Sequence, residues 1–262
     1  MILRLCLSLL CACALVLSAG DGFAQQQKKK RPPLSRVAPE KPAVPPDRDP
    51  GGVLVALLST GIDYRLPALS ARLARDGEGE IVGCDIVDND RLPFDMGEGN
   101  APTEQGGDGT AIASRVLANG APVRLAPIRI DAEDASSIAR GVRLAGQIRA
   151  RIVLVPMWSR ESARWHLFVT AAGAQPGTLF VLSAAEGAKP EEAFPAAFAL
   201  DNAIVVSSGS ESAESPGFSG QMRTLGPGHF ALALTAARAA RLLAADPTMD
   251  VARLKAALQK RP

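Results

Sequence analysis

At 262 residues, 47% of them apolar and only 4% aromatic, the chain is long enough for one sizeable α/β domain with an Ala/Val/Leu core and too short for two large ones. A formal charge of +2 gives no mandate for nucleic acid, because the dense basic run Lys28 to Arg31 lies outside the expected domain, and nucleic acid is set aside as a partner.

The N-terminus carries Arg4, an apolar run from Leu5 to Leu17, then small residues ending in Gly22-Phe23-Ala24, the pattern of a secretory signal cleaved after about Ala24. The run falls short of the ~20 apolar residues that a spanning helix needs, so no stable membrane span is expected and the destination is secreted or periplasmic. Cys6, Cys11 and Cys13 leave with the signal, and Cys84 alone cannot form an internal disulfide. The expected organisation is a signal peptide at 1–24, a Lys/Pro-rich disordered linker at 25–50 and a folded domain at 51–262.

The first half of the stretch Val53 to Leu69 is a continuous apolar run too short for a membrane span and stopped by Thr60-Gly61, which predicts a buried parallel strand ending in a tight turn. Ligands in open α/β sheets bind beyond the carboxyl ends of strands, so Ser59, Thr60 and Asp63 stand where a site is expected. Further along, Pro67 to Arg75 reads as a short helix and Glu80 to Val87 as a strand. The polar loop after it contains Asp88, Asn89 and Asp90; its carboxylates lack the ligand order of an EF-hand, and neither metal nor cofactor is assigned. Gly106-Gly107-Asp108-Gly109-Thr110 opens an Ala-rich helix, where Asp108 suits the N-terminal dipole and is itself a candidate cap. Strands follow at Val123–Ile130, Ile152–Val155 and Gly177–Ala185, with a helix at Ala135–Ala150. Phe194–Ser207 is a strand with its approach loop, and helices span His229–Ala245 and Val251–Gln259. His166 reads as a surface residue.

The stretch VLVALLSTGIDYRLPAL resembles the segment V-A-V-L-D-T-G-I-D-x-x-H-P-A-L of subtilisin-like serine proteases. GGDGT is similar to their G-H-G-T-H-V-A-G, GCDIVDNDRLPFD to the strand and loop before it, and FPAAFALDNAIVVS to a later segment. The C-terminal LLAADPTMDVARLKAAL, counted back, sets His229 at the serine of G-T-S-M-A-T-P. The resemblance implies a three-layer α/β fold with a mainly parallel central sheet and helices on both faces. It also implies that the triad places of aspartate, histidine and serine are held by Ser59, Asp108 and His229. The substrate-pairing edge Ser-Leu-Gly is replaced by Pro156-Met157-Trp158, and the asparagine of the oxyanion turn by Glu186.

In a working triad the imidazole lies between nucleophile and carboxylate, whereas here Asp108 takes the middle place. Ser59 is therefore expected to touch Asp108 rather than His229 and to lack an adjacent base, while Asp108 and His229 form an ion pair. Glu186 would repel a developing oxyanion. Ser219, in Gly217-Phe218-Ser219-Gly220, is an alternative nucleophile that lacks the strand-to-helix setting of an elbow. These residues point to an exported, inactive pseudoprotease whose cleft binds a peptide or protein partner, another exported protease among the options, with Pro156, Met157 and Trp158 as contact residues. The alternatives are an active endopeptidase with rearranged residues and a structural exported domain with a vestigial cleft.

Overall fold

The computed structural model describes residues 41–95, 108–118, 120–183, 189–206, 213–217 and 221–260. Strands β1 (Val53–Ser59), β2 (Cys84–Asp85), β3 (Val123–Arg129), β4 (Ile152–Val155), β5 (Leu179–Ser183) and β6 (Ala203–Val206) form a parallel sheet in the order β2-β3-β1-β4-β5-β6. β1 lies at its centre, matched to β3 from Val53↔Val123 to Ser59↔Arg129 and to β4 from Val55↔Ile152 to Leu57↔Leu154. A second, antiparallel pair joins β7 (Ala213–Pro216) to β8 (Met222–Leu225).

Alternation along the strands builds two cores, because successive side chains leave opposite faces. Val55, Leu57, Leu125, Leu154 and Val181 face one core, which is closed by α2 (Gly109–Leu117), α5 (Pro227–Ala245) and α6 (Val251–Gln259). Leu54, Ala56, Leu58, Ile128, Val153 and Phe180 face the other, covered by α3 (Ala135–Gln147) and α4 (His166–Gly173). The expected three layers with helices on both faces are present. In α5 the buried residues include Ala233, Ala236, Ala237, Ala239 and Ala240, small side chains that let a long helix approach the sheet closely. Asp134 and Asp250 cap α3 and α6, accepting from Ser136 N and Arg253 N.

Several elements differ from expectation. The helix α1 is confined to Pro67–Ser70, and of Glu80–Val87 only β2 is strand, since Ile81 pairs instead with Arg75. Neither α4 nor the β7–β8 pair is among the elements expected from the sequence. Residues 41–50, expected to belong to the linker, lie against the domain: Val44 packs on the first core, and the carbonyls of Pro42 and Pro45 accept from Tyr64 Oη at 2.7 Å and Arg75 Nη2 at 2.6 Å. The expected signal peptide and the linker up to residue 40 lie outside the described residues. Among the described residues no helix is long and apolar enough to cross a membrane.

Candidate functional site

The parallel sheet sends the carboxyl ends of its strands to one edge, and the candidate residues gather there. Ser59 ends β1 and is buried at 1% exposure. Its Oγ donates to the Gly61 carbonyl at 3.3 Å and accepts from the Gly61 amide at 3.2 Å. Gly61 has φ +108°, and a Cβ there would lie 2.7 Å from the Phe94 carbonyl, so the turn demands glycine on two counts.

Asp108 stands at the N-cap position of α2 with φ −108° and ψ 24°, but its side chain makes no capping hydrogen bond to that helix. It turns instead to His229, in the first turn of α5, whose Nδ1 lies 3.2 Å from Asp108 Oδ2. The other ring nitrogen, Nε2, lies 3.2 Å from the Pro156 carbonyl oxygen just beyond β4. The carboxylate is fully buried and the imidazole side chain only 11% exposed. Both partners of the ring are acceptors, so a ring carrying a proton on each nitrogen donates to both, and a neutral ring leaves one lone pair against an oxygen.

The structure thus joins Asp108 to His229, and it sets Ser59 beneath the helix start: a Cβ on Gly109 would lie 2.5 Å from Ser59 Oγ. The serine hydroxyl is engaged with Gly61 backbone, while the imidazole bridges a carboxylate and a carbonyl. Asp63, fully buried, accepts from Arg65 Nε and Nη2, each at 2.8 Å, which makes it an ion-pair partner at the turn. Thr60 adjoins this turn and is half-buried. Thr110, inside the GGDGT motif but not among the expected site residues, has a structural role there: its hydroxyl donates to Asp95 Oδ2 at 2.8 Å and accepts from Asp63 N at 3.0 Å, tying α2 to the turn after β1.

Of the three expected contact residues, Met157 needs correction. It is 1% exposed and belongs to the second core with Trp165 and Phe168, so its apolar side chain is spent on internal packing. Pro156 is also buried, with its carbonyl held at His229, and Trp158 is half-buried. Ser159 then exchanges both backbone hydrogen bonds with Phe194 at 2.9 Å. His166 is exposed. Glu186 and Ser219 lie outside the described residues.

Among the described residues, Asp85, Asp88 and Asp90 form a group whose carboxylate oxygens converge within 4.8 Å. Two protein cations already serve them. Lys41 Nζ lies 2.5, 2.7 and 2.9 Å from Asp85, Asp88 and Asp90, and Arg129 Nη1 lies 2.7 Å from both Asp85 and Asp88.

No protein-family model and no curated protein matches the chain. Solved structures do. A cold-adapted subtilisin-like serine proteinase matches at TM-score 0.62 and 18% identity over 81% of this chain and 82% of its own. An S41 psychrophilic protease matches at 0.56 and 19%, over 81% and 83%, and a lanthipeptide protease at 0.61 and 15%, over 79% of each chain. At such identities the likeness carries architecture alone: the chain has a subtilisin-like α/β fold.

Proposed function

We propose that this is an exported pseudoprotease domain, catalytically inactive, that binds a peptide or protein partner, another exported protease being one candidate. The observation that carries the inactive reading is the seat of His229. Its ring spans Asp108 and the Pro156 carbonyl at 3.2 Å on each side. The Ser59 hydroxyl is turned to Gly61. A serine becomes a useful nucleophile when a base accepts its proton, and here the imidazole has its nitrogens committed elsewhere. Export rests on the N-terminal pattern ending at Ala24, and partner binding on the half-buried Trp158 beside the strand edge.

The second reading, a structural domain with a filled cleft, is favoured by one observation: Met157 and the Pro156 carbonyl, at the edge where an extended peptide would pair, are used internally. Incubation with unfolded casein and a fluorophosphonate probe tests the inactive reading. Neither cleavage nor labelling is expected, and labelling abolished by Ser59→Ala or Ser219→Ala would overturn it. Recovery of one exported protein with the wild-type domain, lost on Trp158→Gly, separates a binding domain from a filled one.

A further inference from the structure

The segment 41–50 is built to be held. Pro42, Pro45, Pro46 and Pro50 have fixed φ and no N–H, so the chain is stiff and offers mainly acceptors. The domain supplies donors: Tyr64 Oη and Arg75 Nη2 to the strap carbonyls, and Arg75 N at 2.9 Å and Arg124 Nη1 at 2.8 Å to Asp49. At its start, Lys41 extends into the nest of Asp85, Asp88 and Asp90 with a side chain only 10% exposed. Burial works against charge on this lysine, but hydrogen bonds to the three aspartates outweigh it and hold its pKa above the ordinary lysine value.

The nest is organised around a cation in other ways too. Asp85 Oδ1 accepts from the amides of Val87 and Asp88, and Asp90 Oδ1 from Leu92, so the backbone fixes the carboxylates in place. Three converging carboxylates without a cation would repel one another strongly. The loop that follows runs directly to the candidate site: Ile62 N donates to Pro93 O at 3.0 Å, Asp95 N to Ile62 O at 3.1 Å, and Asp95 accepts from Thr110, two residues after Asp108.

We propose that Lys41 is the resident cation of the Asp85–Asp88–Asp90 nest, occupying the place a metal ion would take, and that through it the proline-rich strap holds the loop flooring the candidate site. This holds whether the site is inactive or not. The ammonium sits on all three carboxylates at once, whereas Arg129 reaches two of them, so the strap rather than the sheet completes the cluster.

The test compares wild type with Lys41→Ala and Lys41→Gln in the full chain, using melting midpoints with EDTA or millimolar calcium and hydrogen exchange of the Ile62 and Asp95 amides. Wild type is expected to melt alike in EDTA and calcium. Lys41→Ala is expected to melt about 4–10 °C lower in EDTA, to exchange both amides at least tenfold faster, and to recover on adding calcium unless Asp90→Asn is also present. Lys41→Gln, which keeps a polar side chain one atom shorter but not the charge, should behave in the same way. Stabilisation of wild type by calcium would overturn the proposal, as would an unchanged midpoint or unchanged exchange in both variants. Loss of stability without any calcium response would reduce Lys41 to an ordinary ion-pair partner and equally overturn it.

Discussion

His229 meets Asp108 across the amino ends of two helices, α5 and α2, with 3.2 Å between Nδ1 and a fully buried carboxylate oxygen. The Asp108 side chain is thereby withdrawn from capping its own helix. Replacing either residue leaves the other in a poorly solvated place. Asp108→Asn and His229→Ala should each destabilise the fold by about 1–3 kcal/mol. Because the residues are in contact, the double variant should lose less than the sum of the two, a coupling of at least ~0.5 kcal/mol. Denaturant melts of the four proteins measure it. Strict additivity would mean that the contact contributes nothing to stability.

The closeness of Gly109 to β1 gives a sharper steric forecast. A methyl group there would lie 2.2 Å from the Gly61 carbonyl oxygen and 2.5 Å from Ser59 Oγ, and the first of these belongs to backbone that cannot rotate away. Gly109→Ala should therefore cost ~3 kcal/mol or more, the upper end of overpacking. Gly77→Ala, with nothing within 4 Å, should stay within about 0.5 kcal/mol of wild type. Equal midpoints for the two variants would show that α2 does not approach β1 as described.

Acid should loosen the strap before alkali does. Burial tends to raise the pKa of Asp49, but hydrogen bonds from the Arg75 and Gly51 amides and from Arg124 outweigh it and hold it below the ordinary carboxylate range. At Asp88, the hydrogen bond from Lys41 does the same. For a depressed carboxylate, the stabilisation is complete above the unfolded pKa and is lost as pH falls through the folded value. The contribution should thus be constant near neutrality and disappear below about pH 4. Lys41 has the opposite sign: raised, its contribution persists up to the ordinary lysine range and is lost only at higher pH. Asp49→Asn should flatten the acid limb of a plot of melting midpoint against pH, and an acid limb identical to wild type would exclude Asp49 from it.

The middle of the sheet was legible because β1, β4 and β5 are written in almost unbroken apolar runs. Ile152–Val155 and Val251–Gln259 have the bounds expected of them, the first delimited by Pro156 and the second by the Asp250 cap. Glu80–Val87 looked equally apolar, but it meets β3 only at Ile128 and Arg129, and two residues of strand are all that this contact supports. The strap was invisible for a chemical reason. Lysine and proline compose solvated linkers and rigid straps alike, and what distinguishes them here is donors from Tyr64 and Arg75, distant in sequence. At the site, the proximity of Asp108 and His229 followed from the resemblance, whereas the Pro156 carbonyl carries no side-chain signature.

Pro156-Met157-Trp158 separates the binding reading from the filled-cleft reading. Met157 lies in the second core at 1% exposure, so Met157→Ala removes buried packing and should cost ~2–5 kcal/mol wherever partners bind. Trp158 is half-buried and its ring is the larger, with area to offer a partner that Met157 lacks. If the domain binds through this edge, Trp158→Gly should weaken capture of a partner from a periplasmic extract at least tenfold, about 1.4 kcal/mol of binding. Its stability loss should remain below that of Met157→Ala. If Trp158 instead plugs a vestigial cleft, the same variant should lose ~3–5 kcal/mol of stability, as for a buried aromatic ring, with capture unchanged. Melting midpoints and quantitative mass spectrometry of captured proteins, taken on wild type and both variants, distinguish these results. Unchanged capture together with a destabilisation matching Met157→Ala would defeat the binding reading.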